Sequence, residues 1–540
     1  MSRVPVRRRP AGKESDGKGS VGARAFKRRS ETNRARTVRR QTARRRIVLA
    51  RASSLSVRAL LARVPAAAWA CALVALLNGV AWSIITPAFQ GRDEPAHFAY
   101  VQQLAETGTL PHAVESGGFS PEEQLVLTGL NQAEVGFSPQ TPAISSAGEQ
   151  RVLAQDLNTG ESSVGSGTAG VATTEPPLYY ALQTIPYALG GGNVLVQLEL
   201  MRLTGALLAA ITALLTFFFV RELLPGVPWA ATAGALCVAV QPLFGFMSGT
   251  VNPDNLLFAV SAAVLLCLAR AFRRGLTTRL ALATGALIAI GFLSKLNFVG
   301  LAFGVFVGLG LLAVREARAH GRSGLWPAGI AAGLGAAPVA LYTLLNAASG
   351  HPALGAAAGI TNVFGGSAGR EIDYVWELYL PRLPGMPQFF AGVSTFKDVW
   401  FDRSVGLYGW IDTEFPGWVD NVALIVVGAI ALLCAGELVV RRDALRSRLP
   451  EFAMYCTMGA GVLAMVGISS YMNRSTTGGV EGFADPRYLL PLLPLAGAVL
   501  ALAIRGAGRR AGPVVAAALI ATFLAHDLFS QLQVIARYYG

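Results

Sequence analysis

Charge is scarce in this chain. Only 14% of its 540 residues are Asp, Glu, Lys or Arg, against about 25% in ordinary soluble domains. Cysteine is scarce as well. The five present, Cys71, Cys237, Cys267, Cys434 and Cys456, all fall inside apolar runs and form no CxxC pair. That excludes a disulfide framework, and they read as small core residues. A cleavable secretory leader is also missing: the basic N-terminal region is too long, and the apolar run from Leu60 to Pro87 lacks a cleavage site. An uncleaved membrane anchor is the expectation.

What the chain has in abundance is apolar sequence, 53% of its residues. These residues cluster into runs long enough to cross a bilayer. The expected fold is all-α, a polytopic transmembrane helical bundle of about 11 spans. The spans lie near 64–86, 199–221, 227–247, 254–270, 278–294, 297–314, 325–346, 419–440, 452–472, 486–504 and 512–530. A shorter apolar stretch, 177–190, contains Pro186 and ends in three glycines.

The net charge of +14 belongs to one end. Residues 1–63 hold a net +17, which leaves −3 for the remaining 477. This tail has too little apolar surface to fold alone, and it reads as a disordered cytoplasmic tail that fixes topology and touches anionic lipid. Basic tracts also bind nucleic acid, but no aromatic residues or folded reader accompany this one, so no nucleic-acid partner is expected. Residues 64–530 form the membrane domain, and 531–540 read as a short tail.

Arginines alternate between the connections. Arg270, Arg273, Arg274 and Arg279 lie in one, Arg315, Arg318 and Arg322 in another, Arg441, Arg442, Arg446 and Arg448 in a third, and Arg505, Arg509 and Arg510 in the last. The connections between these carry few basic residues. By the positive-inside rule the arginine-rich ends are cytoplasmic. The N-terminus is then inside and the C-terminus outside. Loops 87–198 and 347–418 lie outside. Parity leaves 177–190 no room to cross, so it reads as an interfacial or re-entrant helix. The centre of the first loop is rich in Gly, Ser and Thr. The second holds Trp376, Trp400, Trp410 and Trp418, which suit a membrane interface.

This orientation collects the unusual polar residues on one face. Asp93, Glu94 and His97 follow the first span, Glu175 precedes the short helix, and Glu199 and Arg202 start the second span. Asn252 and Asp254 start the fourth, Lys295 and Asn297 lie between the fifth and sixth, and Asp485, Arg487 and Tyr488 start the tenth. Ionisable groups beside spans are costly unless they pair or face water. Gathered together, they point to a polar cavity whose carboxylates could act as a base and whose cations could hold a phosphate. Plain structural readings stand beside this one. An Asp-Glu pair suits a helix N-terminus, Asn-Pro-Asp starts helices well, and Arg202, Lys295 and Arg487 could snorkel to headgroups.

In order along the chain come RDEPAHFAYVQQLAETGTLP after the first span, EPPLYYAL, MRLTGALLAAITALLTFFFVREL, NPDNLLF and DPRYLLPLLP. This ordered set resembles the GT-C superfamily of integral membrane glycosyltransferases. ProProLeuTyrTyr followed by ArgLeuThrGly is similar to the pattern of protein mannosyltransferases and aminoarabinose transferases. DEPAHF with YGWIDTEFP (408–416) looks most like an uncharacterised bacterial family of predicted multi-pass membrane proteins. The resemblance implies a glycosyltransferase that moves a sugar from a polyprenyl-phosphate donor to a glycan or protein acceptor of the cell envelope. Asp93 and Glu94 match the catalytic acidic pair, one of them the general base, with inversion at the sugar carbon. Arg487 with Tyr488 matches a segment that could grip the donor phosphate. His97, Arg202, Asn252, Asp254 and Lys295 are further candidates for binding the substrate or its phosphate. Metal use is left open by the resemblance; Asp93, Glu94 and Asp254 could offer oxygen ligands to a divalent cation. The alternatives are a lipid-linked-sugar flippase or transporter, against which stands the absence of midplane charges and of a repeat, and a non-catalytic scaffold for envelope assembly.

Overall fold

The computed structural model describes residues 63–111, 118–136, 138, 146–158, 160–164, 170–348, 368–390, 395–477 and 485–540. The basic tail expected over 1–63, except its last residue, lies outside the described residues, as do 112–117, 139–145 and 165–169 of the first long loop and 349–367 and 391–394 of the second. Ala66 to Gly540 form one compact unit.

Apart from one short hairpin, the described secondary structure is helical. In chain order the α-helices of seven residues or more are α1 (Ala66–Ile85), α2 (Glu94–Thr107), α3 (Pro121–Gly129), α4 (Ala147–Leu157), α5 (Leu178–Leu189) and α6 (Val194–Leu223). Then come α7 (Pro228–Ala239), α8 (Pro242–Ser248), α9 (Asp254–Arg274), α10 (Thr278–Ser294), α11 (Phe298–His320) and α12 (Trp326–Ala348). The last are α13 (Ala368–Tyr379), α14 (Gly417–Val440), α15 (Leu449–Thr477), α16 (Leu493–Gly506) and α17 (Gly508–Tyr539). A two-stranded antiparallel hairpin, β1 (Leu407–Tyr408) with β2 (Thr413–Glu414), falls between α13 and α14.

Among the described residues, eight helical stretches are long and apolar enough to cross a membrane, or nine if α7 and α8 form one span. One of the eight is the 51-residue stretch Phe298–Ala348. At 1.5 Å per residue it would measure about 77 Å, far more than one bilayer core of about 30 Å. It divides at a 3-10 turn over Gly321–Leu325 into α11 and α12, and α12 packs on α10. The pair α7 and α8 bends by 60°. Pro242 starts α8, and the Gln241 side chain accepts from Phe244 N, so the second segment has its own cap. Helix α10, with 17 residues, is a shorter apolar helix.

Helix α5 has 12 residues, about 18 Å of length, too short to cross the core. Tyr179, Tyr180, Gln183 and Tyr187 are buried, while Leu182, Ile185 and Leu189 are exposed. Its apolar edge therefore faces away from the protein, as an interfacial helix requires. Other lipid-type faces are Leu73, Leu77 and Ile84 of α1 and Ile425, Leu432 and Val440 of α14, all exposed.

Small residues let the helix backbones meet. Gly300, Gly304 and Gly308 line one face of α11, and a Cβ on any of them would strike Val462, Met458 or Met454 of α15. This four-residue spacing is the close-packing device of membrane helices. Two details differ from the sequence expectations. Cys456 is exposed rather than core. Residues 531–539 continue α17 instead of leaving it as a tail.

Several helices carry the two kinds of polar residue at opposite ends. Helix α6 has Arg202 near its start and Arg221 near its end; α9 starts at Asp254 and ends at Arg273 and Arg274. The segment that opens with Arg487 continues through α16 to Arg505. The bundle thus has an arginine-rich end and an end carrying mixed charges.

Candidate functional site

The mixed-charge end is built around the turn between α1 and α2. Arg202, fully buried on α6, donates to three carbonyls at the end of α1: Ser83 O at 3.1 Å, Thr86 O at 2.7 Å and Pro87 O at 2.8 Å. Terminal helix carbonyls lack intrahelical donors, and this one guanidinium supplies them. Its other edge grips Glu94 in two bonds, Nε to Oε1 at 2.8 Å and Nη2 to Oε2 at 2.6 Å. Glu94 Oε1 also accepts from Val251 N at 2.9 Å. The turn must pass close to Thr250: a Cβ on Gly91 would sit 2.6 Å from Thr250 Cγ2, so only glycine fits there. Glu94 is 0% exposed, a keystone joining α1, α2, α6 and the loop before α9.

Asp93 is its opposite. It occupies the left-handed region, φ 57°, which Asp tolerates better than most residues. Its side chain keeps 29% exposure and meets Arg487 Nη2 at 2.7 Å. Burial pushes this carboxyl upward, but Arg487, with His97 and Lys295, outweighs it and holds Asp93 at about 2.

Behind Arg487 stands a second acid. Asp485 accepts from Arg487 N at 2.9 Å as the cap of the segment, lies 3.3 Å from Arg487 Nε, and pairs closely with Arg92. Burial again opposes its ionisation, and Arg92 and Arg487 overcome it, lowering the Asp485 pKa. Arg92 Nη2 also donates to Leu407 O of β1 at 2.7 Å, and Trp410 Nε1 in the hairpin donates to Phe89 O at 3.3 Å. The YGWID segment is therefore a hairpin that clamps the α1–α2 turn from the far side.

Lys295 closes the third side. Its Nζ lies 3.0 Å from Asp254 Oδ1 and 5.9 Å from the centre of the Tyr488 ring, while Arg487 Nη2 donates to the Tyr488 hydroxyl at 3.1 Å. Asn252 Oδ1 accepts from Asp254 N at 3.0 Å, and its Nδ2 donates to Arg92 O at 3.3 Å. His97 Nδ1 is 2.9 Å from the Tyr180 hydroxyl, and Tyr180 stacks on Tyr100 at 3.6 Å. Burial pushes His97 down to about 3 despite the pull of Asp93, so the ring is neutral at pH 7. Glu175 accepts from Leu296 N at 3.4 Å, and burial raises its pKa against the influence of Lys295.

The structure thus brings Asp93, His97, Asn252, Asp254, Lys295, Arg487 and Tyr488 into one connected set. It places Glu94 and Arg202 behind them as a sealed pair. Four further members were visible in the sequence but carried no assigned role there: Arg92, Glu175, Tyr180 and Asp485. Their signal was position, each beside a motif residue. Four buried atoms in the set have no hydrogen-bond partner: Arg92 Nε, Arg487 Nε, Arg487 Nη1 and Asp254 Oδ2. Asp93, Glu94 and Asp254 each face a different cation. Among the described residues no group of three His, Cys, Asp or Glu side chains is arranged to hold a metal ion.

Chemically, the arrangement offers one partly open carboxylate beside an arginine with a spare donor edge, a buried lysine and a neutral histidine. No curated protein and no solved structure matches the chain. Residues 76–496 match the family DUF2142, described as predicted membrane protein. That match spans all the residues of the connected set, and on it this polytopic membrane protein belongs to the DUF2142 family.

Proposed function

We propose that the chain is a membrane glycosyltransferase that moves a sugar from a polyprenyl-phosphate donor to a cell-envelope glycan or protein. The observation that carries this reading is the Asp93–Arg487 pair: a partly exposed carboxylate held by an arginine whose Nη1 is buried without a hydrogen bond. Arg487 Nη1 is assigned to the donor phosphate, with Lys295 adding charge. An arginine fork suits a phosphate oxygen. The polyprenyl chain would lie along α5 and the neighbouring spans.

A carboxylate held at about 2 is a weak base at neutral pH, since proton transfer works best near the operating pH. The phosphate competes with Asp93 for Arg487, so donor binding loosens the pair and strengthens the base where it is needed. Asp93 then takes the acceptor hydroxyl proton while that oxygen forms a bond to the anomeric carbon. The bond from that carbon to the phosphate oxygen breaks, and polyprenyl phosphate leaves with the electron pair, stabilised by Arg487 and Lys295. One displacement inverts the carbon. Glu94 is assigned the holding role and Asp93 the chemical one.

The test is direct. Purified protein in lipid nanodiscs is given a panel of radiolabelled polyprenyl-phosphate sugars with envelope acceptors. Label appearing in the acceptor, and lost in Asp93→Asn, supports the reading. Sealed vesicles in which labelled lipid crosses without transfer to acceptor would establish a flippase instead.

A further inference from the structure

The arginine-rich end contains two clefts on either side of the α6–α7 turn. One, of about 360 Å³, is lined by Leu224, Leu438, Leu445 and Leu502 together with Arg448 and Arg505. The other, of about 390 Å³, is lined by Phe218, Glu222, Arg270, Arg273 and Arg274. Pro225 lines both.

The charges here are not spread evenly over the surface. Arg273 Nη2 and Arg448 Nη1 both donate to one acceptor, the carbonyl of Leu223 at the end of α6, at 2.7 Å and 3.2 Å. Two guanidiniums are drawn onto a single neutral oxygen, and Arg273 Nε is buried with no hydrogen-bond partner at all. The nearby acids are outnumbered. Glu222 holds Arg274 at 2.6 Å, Glu437 holds Arg505 at 2.7 Å, and the buried Glu451, which accepts from Tyr455 at 3.1 Å, acts on Arg273 and Arg448 together. Two converging guanidiniums sharing one carboxylate leave this corner with excess positive charge. An exposed arginine kept only to orient the chain has no need of such convergence; Arg446, 77% exposed on its side chain, is an example.

We propose that this corner binds the phosphodiester headgroup of an anionic phospholipid. Its phosphate lies between Arg273 and Arg448, and its first acyl carbons lie on Leu224, Leu438, Leu445 and Leu502. The apolar floor selects a lipid over a soluble phosphate, and the converging guanidiniums select an anionic lipid over a zwitterionic one. The site is at the opposite end of α6, α9 and α16 from Asp93, so it is independent of the glycosyl-transfer reading.

Native mass spectrometry of the full chain, released from nanodiscs of mixed phosphatidylglycerol and phosphatidylcholine, tests this. The expected result is retained phosphatidylglycerol in preference to phosphatidylcholine, with the preference falling about tenfold or more in the double variant Arg273→Gln, Arg448→Gln. The variant Arg446→Gln removes an arginine charge outside the cleft and keeps the preference. Leu445→Glu adds an acid at the half-buried floor and abolishes retention; it serves if the double variant fails to fold in phosphatidylcholine alone. Glycerol phosphate does not displace the lipid. Equal retention of both lipids, a preference surviving both cleft variants, or displacement by glycerol phosphate would overturn the proposal.

Discussion

Arg487 holds Asp93 with one nitrogen and keeps another unused: Nη2 lies 2.7 Å from Asp93 Oδ2, while Nη1 is buried without a hydrogen bond. Removing the carboxylate charge leaves the turn's framework untouched, because that framework rests on Glu94 and Arg202. Asp93→Asn should therefore insert and reach the native fold, with an unfolding temperature lowered by loss of the Arg487 pair, yet lose about 10²–10⁴-fold in transfer rate, the usual worth of a general base. Asp93→Glu should recover part of it. Transfer kinetics beside thermal unfolding in detergent checks both halves. Full activity in Asp93→Asn would remove this residue from the chemistry.

Glu94 behaves differently. Glu94→Gln leaves Arg202 buried at the end of α1 with only the half-exposed Glu199, 3.2 Å away, as counter-charge. Breaking a buried pair in this way costs about 3–5 kcal/mol, so the variant should unfold at a clearly lower temperature or express poorly. Arg202→Lys should do nearly the same, since an ammonium cannot serve two carboxylate oxygens and three carbonyls in one plane. A Glu94→Gln protein as stable as wild type would contradict the keystone role.

These two neighbours were indistinguishable in the sequence, and the reason is physical. Hydropathy runs reveal spans because bilayer thickness sets their length, and the all-helical bundle was legible on that basis. Caps were legible too: Asn252 and Asp485 each accept from the backbone two residues on, as their motifs suggest, while also serving the charged set. What local pattern cannot carry is partner choice. Glu94 and Arg202 are separated by 108 residues, and Arg92 and Asp485 by 393. Nothing in the periodicity of either segment says that one acid is sealed and the next open. Span boundaries marked by charge were legible as well: Arg315, Arg318 and Arg322 separate the expected spans 297–314 and 325–346, and the chain turns there at Gly321–Leu325.

Acid should destabilise the protein in two steps. The buried His97 ring has its pKa depressed from 6.5 to about 3, because burial disfavours the charged ring. Between these values the unfolded chain binds a proton that the folded chain refuses. Its contribution is fully present above about pH 6.5 and is lost as pH falls toward 3. Asp93, lowered from 3.8 to about 2, adds a loss only below pH 4. His97→Gln should flatten the upper part of the unfolding-temperature profile, between pH 6.5 and the onset of Asp93 titration, and leave the lower part. An unchanged upper slope would show that His97 is protonated in the fold.

Sidedness decides which leaflet can supply the charged set. Thr107 is exposed at the far end of α2, the helix that starts at the charged set, and Ser447 is exposed at the arginine-rich end. In a background carrying Cys456→Ser, because Cys456 is itself exposed, a cysteine is placed at either position. Arginines at span ends hold their side of the membrane toward the cytoplasm, so Thr107→Cys should react with an impermeant maleimide in intact cells and Ser447→Cys only after permeabilisation. The reverse pattern would put Asp93, Lys295 and Arg487 on the cytoplasmic face. A donor presented from the outer leaflet could then not reach them, and the acceptor would have to be sought inside the cell.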